Sequence, residues 1–187
     1  MIIGAILTQN TNWGNVERAI AQLKKNRVLT PLGMKAVSQR RLATLIKPSG
    51  YFNVKAKRLK NFIQFLFKDY DGDLNKMAKQ PWTVLRQELL NVNGIGPETA
   101  DSILLYAFDK PVFVVDAYTK RIFSRLGLTK KDVEYSVLQE LFARNLKADV
   151  SMFNEYHALL VRLGKEHCRP RPRCLGCPLD QICFKIL

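Results

Sequence analysis

The chain has no long apolar run. Its apolar stretches stop after a few residues, as at Phe65, Leu66 and Phe67 or at Val112, Phe113, Val114 and Val115, far below the roughly 18 residues a membrane span needs. A secretory signal is missing too: Met1 leads straight into Ile2, Ile3, Gly4, Ala5, Ile6 and Leu7, with no basic stretch before them and no small-residue cleavage site after. There is no low-complexity segment and no internal repeat. Acidic residues are scarce, 16 against 30 lysines and arginines, which gives the 187 residues a formal net charge of +14. With 47% hydrophobic and 25% charged residues, the chain can bury a core and is not disordered. The expectation is a soluble, monomeric cytoplasmic protein of one domain or two small lobes, with no membrane partner. Nucleic acid is the leading partner class, which places the protein near the nucleoid.

The charge is uneven. Residues 1–50 hold eight basic side chains (Arg18, Lys24, Lys25, Arg27, Lys35, Arg40, Arg41, Lys47) and one acidic, Glu17, so half of the net charge lies in that segment. Lys55, Lys57, Arg58 and Lys60 extend it, whereas residues 101–150 are nearly neutral, with eight basic and seven acidic. A one-sided basic field suits a groove that follows a phosphate backbone, with binding that weakens steeply in salt.

Helical periodicity dominates. Val16, Ala19, Ile20 and Leu23 form one i, i+3, i+4, i+7 stripe, and Leu59, Phe62, Ile63 and Leu66 a second. Ala100, Ile103, Leu104 and Ala107 form a third, and Val137, Leu138, Leu141 and Phe142 a fourth. Thr30-Pro31, Pro48-Ser49-Gly50, Asp71-Gly72-Asp73 and Asn93-Gly94 mark turns between them. Residues 112–115 are the one strand-like run; lacking a sheet partner, it reads as a buried connector. The fold class expected is all-α. Ile2 to Leu7 reads as a helix interior with no cap before it, so either the first helix is short or a segment precedes it.

All four cysteines fall in one short stretch, Cys168, Cys174, Cys177 and Cys183, spaced C-x5-C-x2-C-x5-C. Disulfides suit neither a reducing compartment nor a chain with a full core. Zinc ribbons use two separated C-x2-C pairs, and four thiolates in one loop also suit a [4Fe–4S] cluster; spacing alone leaves those two level. His167 adjoins Cys168, but four sulfurs already complete a site. Arg169, Arg171 and Arg173 fill the first loop and would offer phosphate contacts.

Residues 89–100, Leu-Leu-Asn-Val-Asn-Gly-Ile-Gly-Pro-Glu-Thr-Ala, end one helix and open another. Gly94 and Gly96 allow φ > 0 and close approach, and Pro97 suits a first helical turn. The turn offers backbone N–H groups to an anion, so the segment reads as a helix-hairpin-helix that grips a phosphate. Asp116 follows the apolar connector and precedes Ala117-Tyr118-Thr119. It is either an N-cap or a carboxylate that stabilises a sugar cation or orients a water.

Together these residues resemble the helix-hairpin-helix DNA glycosylases of the endonuclease III type. The likeness covers nearly the whole chain: Leu7-Thr8-Gln9-Asn10-Thr11, Gly50-Tyr51-Phe52-Asn53 with Lys55-Ala56, the hairpin at Gly94-Ile95-Gly96, Val115-Asp116 and the cysteine loop. It implies a two-lobed fold, a six-helix barrel over residues 1–110 and a [4Fe–4S] cluster lobe over 111–187, with duplex DNA lying across the cleft between them. It also implies a helix ahead of Met1. On this resemblance Asp116 is the catalytic aspartate, and Gln9 and Tyr51 fill the gap left by a flipped base. Gly94 and Gly96 grip a phosphate, and their loop carbonyls could hold a monovalent cation. Lys55 counts among the DNA-binding residues, and the four cysteines ligate the cluster.

Two positions depart from the pattern. Bifunctional members carry a lysine two residues after the second glycine, whose amine attacks the sugar; here that residue is Glu98, which cannot form a Schiff base and otherwise suits the helix dipole. Five residues rather than six separate the first two cysteines. The hairpin form is similar to that of the monofunctional 3-methyladenine DNA glycosylases. The function expected is base-excision repair: hydrolytic removal of a damaged base, an alkylated purine, with Trp13, Tyr51 and Tyr118 as candidate stacking aromatics. The rivals are a bifunctional glycosylase/lyase on oxidised pyrimidines, with Lys120 supplying the amine, and a non-catalytic DNA-binding module.

Overall fold

The computed structural model describes residues 1–186. Every regular element among them is helical. In order they are α1 (Ile2–Leu7), α2 (Trp13–Lys25), α3 (Pro31–Ala36), α4 (Gln39–Leu45), a 3-10 turn (Lys47–Ser49), α5 (Phe52–Tyr70), α6 (Leu74–Ala78), α7 (Trp82–Asn91), α8 (Pro97–Phe108), α9 (Ala117–Arg125), α10 (Tyr135–Asn145) and α11 (Val150–Glu166). The all-α expectation holds. Residues 112–115 are buried and irregular, and among the described residues no helix is long and apolar enough to cross a membrane.

Helix starts follow local chemistry. Asn12, Thr30, Ser38, Asp73, Asp116 and Asp149 each accept a backbone N–H of the first turn through the side chain, and so cap α2, α3, α4, α6, α9 and α11. Such a cap stabilises a helix by about 1 kcal/mol.

The chain divides into two compact units, residues 1–108 and residues from 109 onward. In the first, α5 is the axis and packs against α1, α3, α4 and α6. It buries Ala56, Leu59, Phe62, Ile63, Leu66 and Tyr70, the second apolar stripe extended at both ends, and each large apolar side chain so buried contributes about 1.5–3 kcal/mol. Helices α7 and α8 pack on each other and α8 on α1. A two-pronged ion pair fastens the two hairpin helices: Arg86 Nε and Nη2 donate to Asp101 Oδ1 and Oδ2 at 2.7 and 3.0 Å, with the Asp101 side chain fully buried.

In the second unit α9 packs against α11. A Cβ added at Gly164 of α11 would lie 2.3 Å from the Tyr118 ring of α9, so the glycine sets how closely the two helices approach. Phe113 stacks on Phe142 with ring centroids 3.7 Å apart, and Phe153 and Tyr156 meet Phe113 edge-on. One predicted core residue is misplaced by periodicity: Val137 is exposed. α10 buries only Leu138 and Phe142, an i, i+4 pair, and the preceding residue is turned about 100° away from them.

Candidate functional site

The hairpin joins α7 to α8 through Val92, Asn93, Gly94, Ile95 and Gly96. Gly94 has φ 98 and a Cβ there would fall 2.3 Å from Arg58 Cγ, so its need for glycine is both conformational and steric. Gly96 differs from expectation. It is outside the left-handed region, and a Cβ there would meet nothing within 4 Å, so no protein contact demands glycine at this exposed point. Glu98 lies in the first turn of α8, exposed.

Gln9 is built into the hairpin. Its Nε2 donates to the Gly94 carbonyl at 3.1 Å and to Thr99 Oγ1 at 2.9 Å, and its Oε1 accepts from Arg58. Asn61 donates to the neighbouring Asn93 carbonyl at 2.9 Å. The polar side chain that follows Ile6-Leu7 thus has a structural partner set that nothing in its own segment foretold.

Tyr51 stands at the head of α5, 71% exposed. Its backbone is left-handed, φ 44 and ψ 32, directly after Gly50 with φ 68. Lys55 requires a correction. It is 1% exposed, and its Nζ donates to the carbonyls of Leu7 at 2.9 Å and Ser49 at 2.6 Å. An ammonium spent on two carbonyls inside the core does not reach a phosphate. The helical stripe of α5 turns position 55 inward beside Leu59, whatever its charge.

Asp116 fulfils the N-cap reading and more. Oδ1 accepts the Thr119 amide at 2.7 Å and the Thr119 hydroxyl at 2.9 Å. Oδ2 faces Nε2 of His157 on α11 at 3.6 Å, with both side chains 12% exposed. Burial pushes the Asp116 carboxyl up, but the facing His157 ring, the Thr119 amide and the Thr119 hydroxyl together outweigh it. The result is a carboxyl held below its ordinary range. A largely enclosed carboxylate that resists protonation is suited to stabilising nearby positive charge.

His157 was not foreseen, although the sequence carries a signal for it. It falls on the stripe Phe153, His157, Leu160, Gly164, whose other members are buried, and a polar residue on an apolar stripe needs a partner. Lys120, the rival amine, donates its Nζ to the Val133 carbonyl at 2.8 Å. Of the aromatic candidates, Tyr118 is a packing residue, with Gly164 against its ring and Arg121 5.2 Å over it. Trp13 donates Nε1 to Glu17 at 2.9 Å and packs against Gly4. Tyr51 projects furthest, 71% exposed against 42% for Trp13.

Cys168, Cys174, Cys177 and Cys183 are free thiols and line one pocket with Arg125, His167, Pro172, Arg173, Asp180 and Lys185. Arg125 Nη1 lies 3.4 Å from Cys168 Sγ and also donates to the Arg169 carbonyl at 2.6 Å, while Nη2 reaches the Pro170 carbonyl at 2.9 Å. Among the described residues no three cysteine, histidine, aspartate or glutamate side chains converge closely enough to hold a metal ion. Arg169, Arg171 and Arg173 are exposed, though Arg169 turns its Nε onto the Lys165 carbonyl.

The chain is similar to known proteins over most of its length. It is 49% identical over 186 residues to "Putative DNA repair glycosylase MJ1434" of Methanocaldococcus jannaschii, covering 98% of this chain and 84% of that protein. The crystal structure of H. pylori 3-methyladenine DNA glycosylase bound to 1,N6-ethenoadenine superposes with a TM-score of 0.79 at 29% identity, over 88% of this chain and 83% of the other. A non-covalent endonuclease III–DNA complex shares the fold, with a TM-score of 0.84 at 24% identity over 98% and 81% of the two chains. Residues 3–148 match the family described as HhH-GPD superfamily base excision DNA repair protein. The chain thus belongs to the HhH-GPD superfamily, the base-excision DNA repair glycosylases.

Proposed function

We propose that this chain is a monofunctional DNA N-glycosylase that takes a damaged base, an alkylated purine, out of duplex DNA and hydrolyses its N-glycosidic bond. The observation that carries the reading is the Asp116 carboxylate, held ionised by Thr119 and His157. As the bond from C1′ to the base nitrogen breaks, its electron pair leaves with the base and positive charge develops on the sugar. Asp116 stabilises that cation, water adds at C1′, and the water's proton passes to solvent. A purine alkylated at N3 or N7 is already cationic and leaves as a neutral base, so for such a lesion the site needs no strong general acid. Similarity to a 3-methyladenine glycosylase bound to a modified adenine supports this choice of substrate.

Two features favour the monofunctional reading over the lyase. Glu98 stands where the hairpin lysine would be, and Lys120 is engaged by the Val133 carbonyl. Gly96 leaves open space for a DNA backbone at the hairpin. For Gln9 to fill a vacated base position, its amide must first leave Gly94 and Thr99. The Asn93 and Gly94 carbonyls already accept side-chain amides, and the hydrolysis above needs no cation there.

The four unpaired thiols, with Arg125, Arg173 and Lys185 lining the same pocket, have the chemistry a [4Fe–4S] cluster needs: four soft sulfur ligands beside cationic side chains that balance an anionic cluster. When bound, the cluster would supply four Fe–S anchors that fix the loop carrying Arg169, Arg171 and Arg173.

The test is product analysis on duplexes containing 3-methyladenine, thymine glycol or a mismatch. Base release from the first, with strand scission only after alkali, is the expected result. Scission without alkali, with a borohydride-trapped adduct, would establish the lyase instead. Tight binding without base release by folded protein would leave a DNA-binding module.

A further inference from the structure

Lys55 is the largest of the fully buried side chains, and its environment is unusual for a cation. Burial pushes its pKa down and the charge of Arg58 adds to that; no carboxylate offsets either effect. A buried ammonium satisfied only by carbonyls is costly, and a methionine or leucine would fill the same stripe of α5. The position therefore needs a reason.

The acceptors supply it. Lys55 holds the turn from its near side: its Nζ takes the carbonyl of Ser49, the residue before Gly50, at 2.6 Å, while the Tyr51 carbonyl on the far side accepts the ordinary helical N–H of position 55 at 3.0 Å. Its remaining bond reaches Leu7 at the end of α1, two residues ahead of Gln9. Between these anchors Gly50 and Tyr51 both have φ > 0, and no side chain caps the α5 start. A tyrosine with left-handed backbone costs about 1–2 kcal/mol, and strain of this kind persists only where the surroundings impose it. What is held in this strained state is a ring that is 71% exposed.

We propose that Lys55 is a positioning residue that fixes the Gly50-Tyr51 turn so that the Tyr51 ring is preset to stack in a gap in the base stack of a DNA duplex. The proposal rests on the glycosylase reading for its ligand, since an extruded base leaves such a gap. Lys55 acts through Tyr51 and touches no DNA.

The test uses the full chain, a duplex containing a tetrahydrofuran abasic analogue, and the same duplex undamaged. Dissociation constants are measured for wild type, Lys55→Met, Tyr51→Ala and the double variant. Tyr51→Ala is expected to cut the preference for the abasic duplex about tenfold, the size of one lost stacking contact. Lys55→Met should cut it similarly, leave affinity for undamaged DNA within about twofold, and add nothing once Tyr51 is alanine, the signature of acting through it. A 2-aminopurine opposite the abasic site should lose its Tyr51-dependent quenching in Lys55→Met. Retained preference, equal loss on both duplexes, or additive effects would overturn the proposal. Should Lys55→Met fail to fold, Lys55→Arg carries the same test, because a planar guanidinium is larger than the ammonium buried between the Leu7 and Ser49 carbonyls and must displace one of them. Base release by the wild type is scored separately. A protein that prefers abasic DNA yet releases no base would sink the glycosylase reading and leave the role of Lys55 standing.

Discussion

Nε2 of His157 stands 3.6 Å from Oδ2 of Asp116, and both side chains are only 12% exposed. The other carboxylate oxygen is taken by Thr119. One aspartate thus starts a helix with one oxygen and presents a protected negative charge with the other. The pairing joins the start of α9 to the middle of α11, and it lets the capping role of Asp116 be tested apart from the proposed catalytic one.

Asp116→Asn should leave the fold nearly untouched, because asparagine caps a helix as well as aspartate. Base release should fall by about 10²–10³-fold through loss of the stabilising anion. Single-turnover excision beside a thermal melt checks both. Full excision by the variant would remove Asp116 from the reaction.

His157→Ala should move the acid limb of the excision profile to higher pH, since two of the influences holding the Asp116 carboxyl down come from that ring. The stability consequence has a fixed sign. A carboxyl depressed in the folded state contributes stability above its ordinary value of 3.8, and loses it as pH falls through the lower folded value. Urea midpoints from neutral to acid pH should therefore show a pH-dependent gap between wild type and His157→Ala that closes in acid.

Asp101→Ala should cost about 3 kcal/mol, because it leaves the Arg86 guanidinium without its bidentate partner. The measurement is a denaturant titration. A loss near zero would mean that the α7–α8 pairing rests on apolar packing alone.

Gly94→Ala and Gly96→Ala should part company. The first forces a Cβ to 2.3 Å from Arg58 with φ at 98, and should destabilise by about 1–2 kcal/mol from backbone strain alone. The second meets no protein atom within 4 Å and should change stability by no more than about 0.5 kcal/mol, while weakening DNA binding at low salt. Unchanged binding in folded Gly96→Ala would show that the hairpin does not approach the backbone there.

Wild-type protein as isolated should show visible charge-transfer absorbance and acid-labile sulfide, and Cys183→Ser should lose both, with iron content falling in step. A colourless wild-type protein carrying zinc would overturn the iron–sulfur assignment.

Much of this was legible in the chain. The stripe Leu59, Phe62, Ile63, Leu66 is buried as its spacing predicts, Thr30-Pro31 opens α3, and Asp71-Gly72-Asp73 falls between α5 and α6. The hairpin and Asp116 lie at helix boundaries. These features are local: side chains three or four residues apart share a helical face, and a cap needs only its own first turn. The same reasoning failed at Val137, where an apolar residue lies just off the buried face of α10, and at Lys55, where charge suggested the surface.

Composition and spacing therefore determined the all-helical class, the basic character, the hairpin and the clustering of the thiols. Tertiary structure alone decided partners: His157 for Asp116, Arg58 against Gly94, Gln9 on the hairpin, and the inward turn of Lys55. The reason is physical. A helix's own sequence fixes which residues share a face, but which face is dry, and which distant carbonyl or carboxylate waits there, depends on the helix that packs against it.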